Sequence, residues 1–268
     1  MLTRTTWRLA VLPPFVLSSI GSIERSCRAF GRAGATGVRR SVLTVLNFYL
    51  HESVVCVVTD TLGVHPEDKS PLRLTIKAYP VPHWQGLICG IGPMQFIVGW
   101  YCRAITSMLA KGIRHLDEFT PDVLREMFEE YEQCGSRETT STIYHFGFDH
   151  DAGCFIGFAY RSAEGFVSEE LEYGAWIHPA LGDSSLEFNS VTNSLISIAK
   201  EQKLRDESAP VQDQVGIGGH LISYVMLRFE RDDGTYGVRT EIDRCHEFPD
   251  YEEAYRRACM KLPANQSL

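Results

Sequence analysis

The chain has 268 residues, enough for one large domain or two small ones with a mostly buried core. Hydrophobic residues make up 44% and charged residues 22%, which excludes wholesale disorder, collagen-like repeats and a multispan membrane protein. Lys plus Arg number 26 against 34 Asp plus Glu, and the net charge of −8 argues against nucleic acid as a partner.

The charge is unevenly placed. Residues 1–43 carry seven Arg, no Lys and one acid, Glu24, whereas residues 44–268 are strongly acidic. An apolar run from Leu9 to Leu17, broken by Pro13 and Pro14, follows Arg4 and Arg8 and precedes Ser18, Ser19, Gly21 and Ser22. Three readings stand: a short secretory signal, an Arg-rich and Ser-rich transit segment, or upstream sequence ahead of the true start. On each of them residues 1–43 are a leader outside the fold and 44–268 form the domain. The run is too short to span a membrane, so no membrane partner is expected. The eight Cys show no CxxC pair and no metal-ligand spacing, and they are scattered among apolar runs. They read as reduced, mostly buried thiols of a cytoplasmic protein.

Along the domain, residues 44–50 and 53–60 are β-branched and aromatic runs separated by His51 and Glu52, as in a hairpin. Residues 63–71 read as a polar loop, and 72–79 and 84–89 as two further strands. Between Pro93 and Lys111 the apolar residues recur at three and four, which predicts a helix stopped by Gly112. Thr120, Pro121 and Asp122 open a second helix ending near Gly135. Strands are predicted at 141–149, 154–160 and 172–177, and a helix at 190–203. Residues 204–214 carry little pattern. Strands at 220–230 and 236–242 flank the turn Asp232, Asp233, Gly234, and a last helix runs from about 250 to 260. Strand blocks alternating with helix blocks predict an α+β fold in which two mainly antiparallel sheets pack face to face between outer helices, a four-layer αββα sandwich.

Several chemistries are missing. The sequence contains no GxxxxGK[ST], no GxSxG and no HExxH, and Gly90-Ile91-Gly92 lacks the third glycine of a dinucleotide fingerprint. His145, Asp149, His150 and Asp151 crowd a turn that reads as a solvated hairpin rather than a metal site. No metal and no cofactor is expected.

Read from Thr44, the chain resembles the proteasome-like beta-subunit type of the N-terminal nucleophile hydrolases. That family opens a strand with Thr, ends the next strand with Asp about sixteen residues later, places a Lys about sixteen further on, and runs a glycine-containing strand end into a long helix. The matching residues are Thr44, Asp60 in VVTDT, Lys77 in LTIKAYP, and LICGIG followed by the helix from Pro93. Lys77 comes one residue late. The motif covers about 44–111 and the order of elements about 44–243.

The resemblance implies a threonine-type peptidase or amidohydrolase, cytoplasmic and homo-oligomeric, acting on a peptide or amide substrate without cofactor. It assigns Thr44 as nucleophile, Lys77 and Asp60 as its supporting ion pair, and the Gly90 amide as oxyanion donor. Its chemistry has a physical basis: an N-terminal Thr can use its own α-amine, with a pKa near ~8, as general base for the hydroxyl. A nearby ammonium favours the neutral amine and stabilises charge developing on the oxygen. Thr44 must then be the first residue of the mature chain.

The chain departs from the family pattern at several points. Leu43 stands where self-processing members carry Gly, and residues 173–185 offer only Ser184 or Ser185 as distant substitutes for the Ser turn. Asp213 is displaced by about one position from the Asp ahead of the Gly-Gly of the late strand, and Ile217 replaces the Ser there. Two further readings therefore stand beside the peptidase: a catalytically inactive proteasome-like subunit acting in assembly or partner binding, and a small-molecule amidase. Taken singly, Thr44 is a strand residue, Asp60 a turn cap, Lys77 an edge charge, and Gly90 and Gly92 points of close helix approach.

Overall fold

The computed structural model describes residues 44–65, 68–133, 140–181 and 190–261. The basic leader at 1–43 lies outside the described residues.

Two five-stranded antiparallel sheets and a two-stranded one account for all the strands of the described residues. The first large sheet runs in the order β10 (Gly174–His178), β1 (Leu46–His51), β2 (Val54–Asp60), β11 (His220–Glu230), β12 (Tyr236–Glu247). The second runs β5 (Ala78–Val81), β6 (Gly86–Ile91), β7 (Thr142–Asp149), β8 (Cys154–Arg161), β9 (Ser168–Glu170). The small sheet pairs β3 (Leu62–Val64) with β4 (Pro71–Leu74). The described residues also form five α-helices: α1 (Met94–Thr106), α2 (Ile113–Asp117), α3 (Thr120–Gln133), α4 (Val191–Ser208) and α5 (Tyr251–Met260).

Three apolar clusters follow from the alternation of side chains along these strands. The central one joins the facing sides of the large sheets, with Leu46, Phe48, Leu50, Val55 and Val57 from the first and Leu87, Cys89, Tyr144, Phe146 and Phe148 from the second. Phe48 is fully buried there, its ring 4.8 Å edge-on from Phe146 and 5.2 Å from Tyr144. Burying such a ring contributes about 2–3 kcal/mol and fixes the spacing of the sheets. The opposite side chains of the second sheet, among them Ile88, Ile143 and Tyr160, pack with Phe96, Trp100, Leu116 and Leu124 of α1, α2 and α3. Those of the first sheet, Val45, Cys56 and Val58, pack with Leu195, Ile198 and Ala199 of α4.

The elements differ from the sequence expectation in several places, and β12 runs five residues past the expected end at 242. The loop expected at 63–71 contributes β3 and the first residue of β4, and the strand expected at 72–79 is split, because the chain bends at Lys77 and changes sheets. The helix expected to reach Lys111 stops at Thr106, leaving Leu109 97% exposed, and the five-residue α2 follows Gly112. Short β9 was not anticipated, and α4 runs five residues past 203 into the stretch that looked unpatterned. Of the six described cysteines, none of them in a disulfide, Cys56 and Cys89 are buried, Cys154 and Cys245 half-buried, and Cys102 and Cys259 exposed. The expectation of mostly buried thiols therefore holds for two.

Candidate active site

Thr44, Asp60 and Lys77 meet. The β1–β2 hairpin brings the first two together: Leu46 pairs with Thr59, so Asp60 at the end of β2 comes back beside Val45 and Thr44 at the start of β1. Its carboxylate Oδ1 accepts the Thr44 hydroxyl at 2.8 Å and the Val45 amide at 3.2 Å. Lys77 arrives from the second sheet, at the bend just before β5. Its Nζ donates to Thr44 Oγ1 at 2.5 Å, to Asp60 Oδ1 at 2.6 Å and to the Leu62 carbonyl at 2.7 Å.

All three groups are withdrawn from water. Thr44 is 9% exposed and Asp60 fully buried, while the Lys77 side chain is 11% exposed. Burial pulls the Lys77 ammonium below the ordinary lysine range, opposed by the attraction and hydrogen bond of Asp60. A hydroxyl held between a carboxylate acceptor and an ammonium donor has both its proton and its lone pair engaged. The cation is thus placed where negative charge on Oγ1 would develop.

Gly90 lies in β6, one position beyond Cys89, which pairs with Ala78 next to Lys77. A side chain there would meet the Thr142 carbonyl at 2.8 Å and the Ile97 and Ile143 methyls at 3.2 Å, so the glycine lets α1 approach the sheet.

The loop before β11 closes the site, through a residue not singled out in the sequence. The second carboxylate oxygen of Asp60 accepts the Gly218 amide at 3.2 Å, and the Gly218 carbonyl accepts the amides of Thr61 and Leu62. The three residues before Gly218 are anchored on one carboxylate: Asp206 of α4 accepts the amides of Val215 at 2.5 Å, Gly216 at 2.9 Å and Ile217 at 3.0 Å. Asp213, the acid expected near this turn, is exposed in a 3-10 turn at Val211–Asp213. Asp206 escaped notice because it sits in the polar tail of α4; an acid ten residues before a G-I-G-G run is its sequence signal.

The turn cluster resolves into separate roles. His145 is buried beneath α1, its Nε2 accepting the Trp100 indole at 2.8 Å, and Asp149 pairs with Arg114 at 2.5 Å. Among the described residues no group of three or more His, Cys, Asp or Glu is placed to hold a metal. None of the described helices is long and apolar enough to cross a membrane.

No family model matches the sequence, and no curated protein does. Among solved structures the chain is similar to Anbu (ancestral beta-subunit) from Yersinia bercovieri, at 12% identity and a TM-score of 0.48, over 82% of this chain and 98% of that one.

Proposed function

We propose that the chain is a threonine-type N-terminal nucleophile hydrolase of the proteasome-like beta-subunit type, cleaving peptide or amide bonds with Thr44 as nucleophile. The observation that carries this reading is the contact of Lys77 Nζ with both Thr44 Oγ1 and the buried Asp60 carboxylate. Three residues separated by sixteen and seventeen positions converge on one hydroxyl at the head of a strand. The three apolar clusters support a four-layer αββα sandwich as the frame. The working form in this reading is a cytoplasmic homo-oligomer.

The steps follow from the groups present once Thr44 carries a free α-amine. The amine takes the hydroxyl proton as Oγ1 attacks the carbonyl carbon of the scissile bond. Lys77 stabilises the developing alkoxide, and Asp60 holds Lys77 in place. The carbonyl oxygen becomes the oxyanion, which the Gly90 amide is proposed to meet. Collapse breaks the C–N bond, and the leaving amine departs with the proton held by the α-ammonium. Water then attacks the Thr44 ester, releasing the acid and restoring the hydroxyl.

The test is the intact mass of the protein purified from its native source, together with hydrolysis of fluorogenic peptides and simple amides. The reading expects a chain beginning at Thr44, with turnover lost in Thr44→Ala. A retained leader with no turnover, or turnover that survives Thr44→Ala, supports the inactive-subunit reading instead.

A further inference from the structure

Among the described residues β12 forms one edge of the first large sheet, with no strand along its outer side. Twelve residues run beside β11, and residues 239–244 are exposed on both faces. The direction of the backbone groups follows from the hairpin. Arg228 donates its amide away from β12, to the Ser53 carbonyl at the start of β2. Its partner Val238 therefore directs its own N–H and C=O away from β11. Thr240 and Ile242, opposite Met226 and Tyr224, do the same by alternation. An unbroken row of donors and acceptors from 238 to 242 thus faces solvent, without Pro and without a bulge, the one register shift lying beyond Ile222.

The side chains along this edge match themselves. We propose that β12 pairs antiparallel with β12 of a second copy of this chain, about a two-fold axis through Thr240, joining the two sheets into one of ten strands. In that register Val238 faces Ile242 of the second copy on one side of the sheet, covering an isoleucine that is 54% exposed. On the other side Arg239 faces Glu241, and by symmetry Glu241 faces Arg239. These two side chains already pair within the chain at 3.0 Å, so association builds a cluster of four alternating charges. Centring the axis on Ile242 would set Glu241 against Asp243, and centring it on Val238 would leave Thr240 against Tyr236 at the strand end. The outward backbone groups and the charges select the same register.

This proposal rests on the homo-oligomer reading and supplies its surface, and it is independent of the chemistry at Thr44. The full chain is measured by native mass spectrometry and sedimentation equilibrium, with Arg239→Glu, Glu241→Arg and an equimolar mixture of the two. Each single variant places like charges opposite each other twice, and the dissociation constant is expected to rise about tenfold or more. The mixture restores opposite charges at both contacts and is expected to give a mixed pair at wild-type affinity. Circular dichroism of each variant confirms the fold. A wild-type chain that stays oligomeric with both single variants unaffected overturns this surface and leaves the homo-oligomer reading standing. A wild-type chain that is monomeric throughout overturns both.

Discussion

Lys77 reaches Thr44 from the other sheet, its Nζ 2.5 Å from the hydroxyl and 2.6 Å from the carboxylate of Asp60. The ion pair therefore ties together the two sheets at the head of β1. Removing one member leaves the other as an uncompensated, largely buried charge. Lys77→Met is expected to cost about 3 kcal/mol of unfolding free energy, and Asp60→Asn added to it much less than its own separate cost. Urea unfolding of the two single variants and the double variant measures this coupling, and additive losses would show that the pair does not act as a unit.

Asp206 is expected to govern the loop that feeds Gly218 to Asp60. It accepts three consecutive backbone amides, and hydrogen bonds to a charged acceptor contribute more than neutral ones. Asp206→Ala is expected to lower stability by about 2 kcal/mol. Its sharper signature is amide exchange: residues 215–218 lose protection while β7 and β8 keep theirs. An unchanged exchange rate in the loop would remove Asp206 from this role.

Gly219 has φ +78°, and a Cβ added there would lie 2.3 Å from Thr61 Oγ1, the atom that accepts the His220 amide at 2.8 Å. Gly219→Ala combines left-handed strain with a clash against a hydrogen-bonded group, and a loss above about 1 kcal/mol is expected in thermal or urea unfolding. Gly112→Ala has open space and serves as the control, with little change expected.

The acid limb of stability is expected to report two histidines. Burial pushes His145 down to about 3 and His178 down to about 4. The Trp100 indole can only donate, so His145 Nε2 is the unprotonated nitrogen. The unfolded chain binds a proton at each of these sites below about 6.5, whereas the folded chain resists until the lowered values. Stability therefore falls as pH drops from about 6.5, toward 4 for His178 and toward 3 for His145, by about 1.4 kcal/mol per pH unit for each histidine within its window. His145→Phe removes one of these contributions, and the slope of unfolding free energy against pH below 6 decreases by one proton. An unchanged slope would contradict a neutral, buried His145.

Thr44, Asp60 and Lys77 were singled out by resemblance, and only part of their meeting is local: the hairpin sets Asp60 beside Thr44, whereas Lys77 comes from the other sheet. Two strands of a hairpin return Asp60 beside Thr44 whatever the rest of the fold does. The strand runs were equally plain, since β-branched and aromatic residues dominate β1, β2, β7 and β8. What escaped was set by distant contacts or by shortness. β3 and β4 have three and four residues, too few to display alternation, and α2 has five, too few for a helical period. The tail of α4 has a solvated face and so lacks an apolar stripe, and Asp206 lies within it. Its role exists only once β11 folds back beside β2. The Gly90 assignment differs in kind: the glycine's place in β6 is equally well explained by the approach of Ile97 from α1.

The central claim is that a free amine beside the Thr44 hydroxyl, with Lys77 next to both, makes this chain a hydrolase. The most direct measurement compares two purified forms in one fluorogenic peptide assay: the chain beginning at Thr44, and the same chain with a single residue retained ahead of it. The account predicts turnover in the first form, and a loss of at least about a thousandfold in the second and in Thr44→Ala. Equal rates in the two forms, or no turnover of peptides or simple amides by the chain that begins at Thr44, would contradict it.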